Sequence, residues 1–335
     1  VDLLSKEELR VTESGQVSVS LKGETVFSLN KKEFEANILK RDSFSNENDS
    51  YRRIFSAEAK SLSGYIEPSE NEAPVFSGRT KKEGYSIEKY FIKGEGNYVI
   101  PYLLFVPSHS GSKAVIYLNP AGKSAEANKG GEIEKLVLQG YTVLAPDLIG
   151  IGETGSGAFK GDAYIDGESH NLWYCSIVIG RSILGIRAGD VIRLVNVLKK
   201  DIRLNEITGI AKMEMTPVLL HVAAFSSSIN NIILIEPLSS YRSLITSRFY
   251  KSTFISATVP AAVKSYDLPL LSGTLSPRKL TIVNPVNALV KPDNSEEIIQ
   301  DMNIIKTVYG KTGAADKLKI LINEKGDSYD ILNLL

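Results

Sequence analysis

The sequence predicts an α/β fold: a mostly parallel central sheet of about eight strands, flanked by helices and preceded by an N-terminal extension. Three observations carry this. From Tyr85 onward, short apolar runs alternate with helical patterns. The runs are apolar almost throughout, as strands covered on both faces must be. Hydrophobic side chains make up 43% of 335 residues, enough to bury a full core.

Taken in order, residues 1–82 form the extension. Val17–Leu29 alternates apolar and polar residues around Lys22-Gly23-Glu24 and predicts a short hairpin. Lys31–Arg41 has helical spacing through Phe34, Ile38 and Leu39, and Asp42–Ser50 is polar enough for a loop. With so few large apolar residues, the extension is expected to pack on the main domain, 83–335. That domain opens with Tyr85–Ile92 and Ile100–Val106 as an antiparallel pair. Lys113–Leu118 is a strand ending at Asn119-Pro120-Ala121-Gly122, followed by a helix through Ile133–Gln139 and a strand at Tyr141–Ala145. One long helix is expected over Asn171–Lys200. Glu206–Ile210, Asn231–Ile235, Leu280–Val283 and Leu318–Ile322 complete the strands. Right-handed crossovers then bring the strand C-terminal ends to one edge, where such folds place their sites.

Composition narrows the function. Lys+Arg and Asp+Glu number 39 each, so the net charge is zero, which argues against nucleic acid or an anionic membrane as the main partner. Cys175, the one cysteine, has no internal disulfide partner. No apolar run is long enough to span a bilayer. No Cys/His cluster offers zinc ligands, and no cofactor is expected. The chain opens Val-Asp-Leu-Leu-Ser, with neither an initiator Met nor an apolar signal segment, and reads as a mature product or a piece of a longer protein.

Two antiparallel opening strands, a loop after the third strand and a late, sharp strand-to-helix turn are the layout of an α/β-hydrolase. There a Gly-x-Ser-x-Gly turn presents the nucleophile, with small residues because the turn is strained and the helix packs close behind it. Thr216-Pro217 is a good helix start, and counting back from it puts Met213 at the nucleophile position, in Ala211-Lys212-Met213-Glu214-Met215. A register two residues away would put Ala211 there. Neither side chain attacks an ester. Met215 replaces the second glycine, so the strained turn is expected to relax, and Lys212 is a candidate to fill the pocket. The acid should come after Leu280–Val283, where Asn287 stands and supplies no charge to orient a histidinium. The histidine should lie within Asn323–Asp330, which contains none.

The three histidines lie elsewhere. His221, inside the helix after the turn, reads as a core or surface residue and His109 as a solvated loop residue. His170 is the one on a segment suited to line a cleft, beside Trp173 and Tyr174. Those two aromatic side chains are the one local cluster fit to stack on sugar faces, against the plainer reading of a buried helix face. Gly180-Arg181-Ser182-Ile183-Leu184-Gly185 resembles a serine motif but is expected in mid-helix. Gly150-Ile151-Gly152-Glu153-Thr154-Gly155 spells a dinucleotide fingerprint, yet Ser156–Gly161 after it reads as loop rather than the helix that must hold a pyrophosphate. Glu324, Asp327 and Asp330 are a weak candidate for a hard cation, and Asp293–Glu296 a helix cap.

In combination, several segments resemble acetyl xylan esterase-like α/β-hydrolases. These are Ala145–Thr154, Ile179–Asp190, Glu236–Arg242, Ser265–Pro269, Ser276–Arg278 and Ile282–Pro285. Thr12–Asn30 is similar to the connecting segment of large tandem members of that family, whose later unit is often degenerate. The resemblance implies the α/β-hydrolase fold, an exported bacterial setting and an association with polysaccharide breakdown. Pro120, Ala121 and Gly122 would then stand at the oxyanion loop, whose donors are backbone N–H groups. The chain departs from the family at all three catalytic positions. That leaves two expectations. One is a degenerate, non-catalytic unit that supports an upstream hydrolase unit of the same polypeptide or helps hold carbohydrate. The other is a carboxyl-ester hydrolase with an unusual nucleophile, Ser182 or Thr216.

Overall fold

The computed structural model describes residues 3–42, 50–69, 72–109, 111–155, 164–165, 168–290, 295–322 and 329–335. The extension is helical: α1 (Val17–Ser20), α2 (Val26–Asp42) and α3 (Ser50–Ser63). The hairpin expected over Val17–Leu29 does not form. Val17, Val19, Leu21, Val26 and Leu29 are each more than half exposed, so their alternation meets no second strand and no buried face. In α3, by contrast, Tyr51, Phe55 and Ala59 recur at i, i+4, i+8 and are all buried in the core.

The sheet has nine strands where about eight were expected. The added one is β1 (Val75–Lys82), which lies within the span assigned to the extension. β1, β2 (Tyr85–Lys93) and β3 (Val99–Pro107) form an antiparallel meander, with a bulge in β1 between Phe76 and Gly78. The sheet continues through β5 (Thr142–Pro146), antiparallel to β3, and β4 (Lys113–Leu118), with α4 (Glu132–Leu138) between them in the chain. β6 (Tyr164–Ile165) and β7 (Glu168–Ser169) make a separate two-residue ladder. Then come α5 (His170–Val178), α6 (Ile183–Lys199), β8 (Glu206–Lys212), α7 (Thr216–Phe225), β9 (Asn231–Ile235) and α8 (Tyr241–Thr246). The chain ends with α9 (Leu268–Gly273), β10 (Lys279–Val283), α10 (Glu296–Lys311) and β11 (Leu318–Leu321). The strand order is β1-β2-β3-β5-β4-β8-β9-β10-β11, and β5 to β11 in that order run parallel.

The central strands β5 and β9 are buried at every residue, as the continuous apolar runs required. One face packs against α3, α6, α7, α9 and α10. The other is covered by α4 and by a terminal 3-10 turn, Ile331–Leu334. At Gly209 in β8, an added Cβ would lie 2.6 Å from a Leu219 methyl of α7, so the Leu219 side chain packs directly on the β8 backbone. That contact holds the turn between them at the sheet's edge.

The single helix expected over Asn171–Lys200 is two. Gly180, at φ 75°, breaks it, and Ser182 restarts it as the N-cap of α6. No described helix is long and apolar enough to cross a membrane.

Candidate functional site

At the C-terminal edge of the sheet lie the exits of β4, β8 and β10, and Tyr329 reaches Glu132 there. β8 ends at Lys212, Met213 comes next at φ 50°, and a 3-10 turn, Met213–Met215, leads into α7. Residues 206–217 therefore form strand, sharp turn and helix, in the register read from Thr216-Pro217. The relaxed turn expected from the missing glycine is not what the chain adopts: Met213 sits in the left-handed region, at about 1–2 kcal/mol for an L-residue. Glu236 and Asn284, directly after β9 and β10, take the same step at φ 52° and 49°.

Met213 is half-buried and carries a thioether that cannot be deprotonated to a nucleophile. The two hydroxyls weighed as nucleophiles hold structural posts. The Thr216 hydroxyl is buried and donates to the Met213 carbonyl at 2.6 Å. Ser182 is not in mid-helix: its buried Oγ accepts from Gly185 N at 3.0 Å and donates to the Ser63 carbonyl at 3.0 Å, tying α6 to the end of α3. Asn287 lies in a local turn after β10, its Oδ1 accepting from Leu289 N at 2.9 Å. Residues 323–328, with most of the segment read for a histidine and with Glu324 and Asp327, lie outside the described residues. So does Asp293. Asp330 caps the terminal 3-10 turn, accepting from Leu332 N, and Ser295 caps α10. Among the described residues no group of three His, Cys, Asp or Glu side chains could hold a metal ion.

In the loop after β4, Ala121 N donates to Asn119 Oδ1 at 2.9 Å and Gly122 N to the Asn119 carbonyl at 3.0 Å. Two of the N–H groups of this Pro120-Ala121-Gly122 loop are thus used in its own turn. Asp147, just past β5, accepts from Lys123 N at 2.7 Å and Glu153 N at 2.9 Å, and pairs with the Lys123 ammonium. A Cβ at Gly122 (φ 89°) would lie 2.6 Å from Asp147 Oδ1, and one at Gly152 (φ 55°) would strike the same carboxylate. Gly152 of the fingerprint-like Gly150–Gly155, with Gly122, thus makes room for a protein carboxylate, and the loop closes on Asp147 instead of on a pyrophosphate.

Sequence reasoning missed the cluster that fills the space beside Met213. Lys212 Nζ lies 2.7 Å from Glu132 Oε1 at the start of α4 and 3.9 Å from Glu126. Glu132 also accepts the Tyr117 hydroxyl at 2.6 Å and the Tyr329 hydroxyl at 2.9 Å. The ammonium stands 6.0 Å from the Tyr117 ring centre and 5.7 Å from that of Tyr329. Burial, then the negative charge of Glu132, push both phenols well above their usual range and keep them neutral donors. Lys212 is thus held by partners 80 residues or more away in the chain.

His221 is fully buried in α7. Its Nδ1 meets the Pro217 carbonyl at 2.6 Å and its Nε2 the Tyr266 hydroxyl at 2.8 Å, and burial pushes its pKa down to about 4. It is a neutral core residue, and His109 is exposed on a loop. His170 packs edge-on to Trp173 at 5.2 Å and stacks on Tyr174 at 6.5 Å. The two aromatic residues part company: Trp173 lines a cavity with α2 and α8, whereas Tyr174 is exposed. The 3-10 segment Ser252–Ala257 packs on the turn at Met213–Met215 and also on β7, the strand leading into α5.

Solved structures share this architecture. A Bacteroides fragilis protein provisionally designated an acetyl xylan esterase matches 98% of this chain over 89% of its own, with a TM-score of 0.72 and 15% identity. An acetyl xylan esterase from Paenibacillus sp. R4 matches 85% of this chain over 91% of its own, at TM-score 0.55 and 14% identity. A glucuronoyl esterase from Solibacter usitatus matches 82% over 88%, at 0.54 and 13%. The fold is the α/β-hydrolase fold. No protein-family model and no curated protein matches the sequence.

Proposed function

We propose that this chain is a catalytically silent α/β-hydrolase-fold domain, serving a larger exported, carbohydrate-associated protein by supporting an active hydrolase unit. Met213 carries the reading: a thioether at the elbow, on a backbone that keeps the strained geometry a nucleophile would use. The Lys212–Glu132 pair with its two phenols supports it, since this polar plug takes up the room a substrate ester would need. The rival reading, an ester hydrolase using Ser182 or Thr216, has no geometric support, because both hydroxyls are buried and engaged, Ser182 as the N-cap of α6 and Thr216 on the Met213 carbonyl. The sugar-holding variant rests on Tyr174 alone as an outward-facing aromatic side chain.

The test is p-nitrophenyl acetate hydrolysis by the purified chain, with calorimetry against xylan oligosaccharides alongside. The expected result is no turnover above buffer. Turnover that is lost on Ser182→Ala or Thr216→Ala would restore the enzyme reading. Heat of binding at millimolar oligosaccharide would favour carbohydrate holding over support of a partner unit.

A further inference from the structure

Away from the turn at Met213, residues of α2, α5, α8 and the segment after α8 line an open cleft of about 320 Å³. Its walls are largely apolar, including Phe27 of the extension, Trp173, Leu244, Ile245 and Ile255. At its border stands Arg248, whose guanidinium has no carboxylate partner among the described residues and rests 5.7 Å from the Phe249 ring. The Trp173 indole N–H is buried with no acceptor among the described residues. The cavity thus joins a largely apolar lining to a cation at its border that has no carboxylate partner among the described residues. The volume suits a ligand of about ten non-hydrogen atoms. A neutral sugar would meet the polar side chains Asn30, Ser247, Tyr250 and Thr258 of the lining but would leave Arg248 without a counter-charge. An anionic headgroup is what Arg248 lacks, and a carboxylate matches its planar fork.

We infer that this cavity binds a small monocarboxylate with an apolar body, its carboxylate on Arg248 and its body against Phe27, Trp173 and Ile245. The apolar body can be an aromatic ring or a short acyl chain. The extension then has a task of its own, because α2 supplies one wall. The inference stands independently of whether the elbow is silent.

Trp173 is the only tryptophan in the chain, so its emission reports this site alone. The intact chain is titrated with phenylacetate and with hexanoate, with glucuronate and benzyl alcohol as comparators, and each titration is repeated by calorimetry. A saturable emission change is expected with phenylacetate or hexanoate, at a dissociation constant on the order of 0.1–1 mM. The tighter of the two identifies ring or chain. Arg248→Gln, at an exposed position that leaves folding intact by circular dichroism, weakens the carboxylates about tenfold and leaves benzyl alcohol unchanged. Phe27→Ala weakens the carboxylates and benzyl alcohol alike. The inference is overturned if neither carboxylate saturates by either method up to about 20 mM. Tighter binding of glucuronate, or equal carboxylate affinity in Arg248→Gln, overturns it too.

Discussion

Replacing Glu132 with glutamine tests whether the cluster beside the elbow is a structural plug. Glu132 accepts from three groups: the Lys212 ammonium at 2.7 Å, the Tyr117 hydroxyl at 2.6 Å and the Tyr329 hydroxyl at 2.9 Å. Glutamine keeps one acceptor oxygen and turns the other position into a donor, so at least one phenol or the ammonium loses its partner. An orphaned buried donor costs about 1–3 kcal/mol. Breaking a fully buried ion pair costs about 3–5, but both side chains here are 15% exposed and Glu126 lies within 3.9 Å of Lys212, so the lower end applies. The expected loss is roughly 2–3 kcal/mol. Unfolding entropy of about 2.1 cal/mol/K per residue over 335 residues gives about 0.7 kcal/mol/K, so the melting temperature should fall by about 3–4 °C. Lys212→Met and the double variant complete a cycle, with a coupling of about 1–2 kcal/mol expected. A melt within about 1 °C of the parent, or full additivity, would mean that the cluster is a loose surface arrangement and not a plug.

Met213→Ser should leave acetyl-ester hydrolysis at background, because Asn287 supplies no charge and no described imidazole reaches the turn. Its melt should shift by no more than about 1 °C, and a rate well above buffer would reveal a hidden base. Ser182→Ala should lower stability by about 1–2 kcal/mol in urea titration, through the lost cap and the bond to Ser63 O, with esterase turnover at background before and after. His221 is held neutral, its folded pKa near 4 against an ordinary 6.5, so its contribution is complete above pH 6.5 and is lost as pH falls toward 4. Over that window the stability advantage of the parent over His221→Gln should shrink by about 3 kcal/mol, and a constant gap would refute the buried, neutral assignment.

The strands were legible wherever burial on both faces forces a continuous apolar run: β4, β5, β9 and β10 match their apolar runs to within a residue or two. β1 was not, because an edge strand with seven of its eight residues exposed carries almost no apolar signal. Val17–Leu29 failed in the opposite way. A period of two predicts a strand only if something covers one side, and here nothing does. Gly180 and Ser182 are a stop and a start, although the apolar pattern runs through them as if inside one helix. At the elbow the register followed from Thr216-Pro217, yet the left-handed backbone at Met213 did not, since the sequence shows the missing glycine and not the close packing behind it. The Glu132 cluster joins residues 15, 80 and 197 positions apart, a distance over which local pattern carries no information.

Three neighbouring strands leave this sheet through the same left-handed residue, at Met213, Glu236 and Asn284. The elbow is thus one socket in a rack of three, spaced by the roughly 4.8 Å that separates adjacent strands. Glu236 is a carboxylate already mounted one socket from Met213. A designer wishing to put an acid–nucleophile pair on this scaffold has two rigid, adjacent strand exits to work from. Asn287 lies three residues beyond Asn284, in a local turn, and offers a less direct mount.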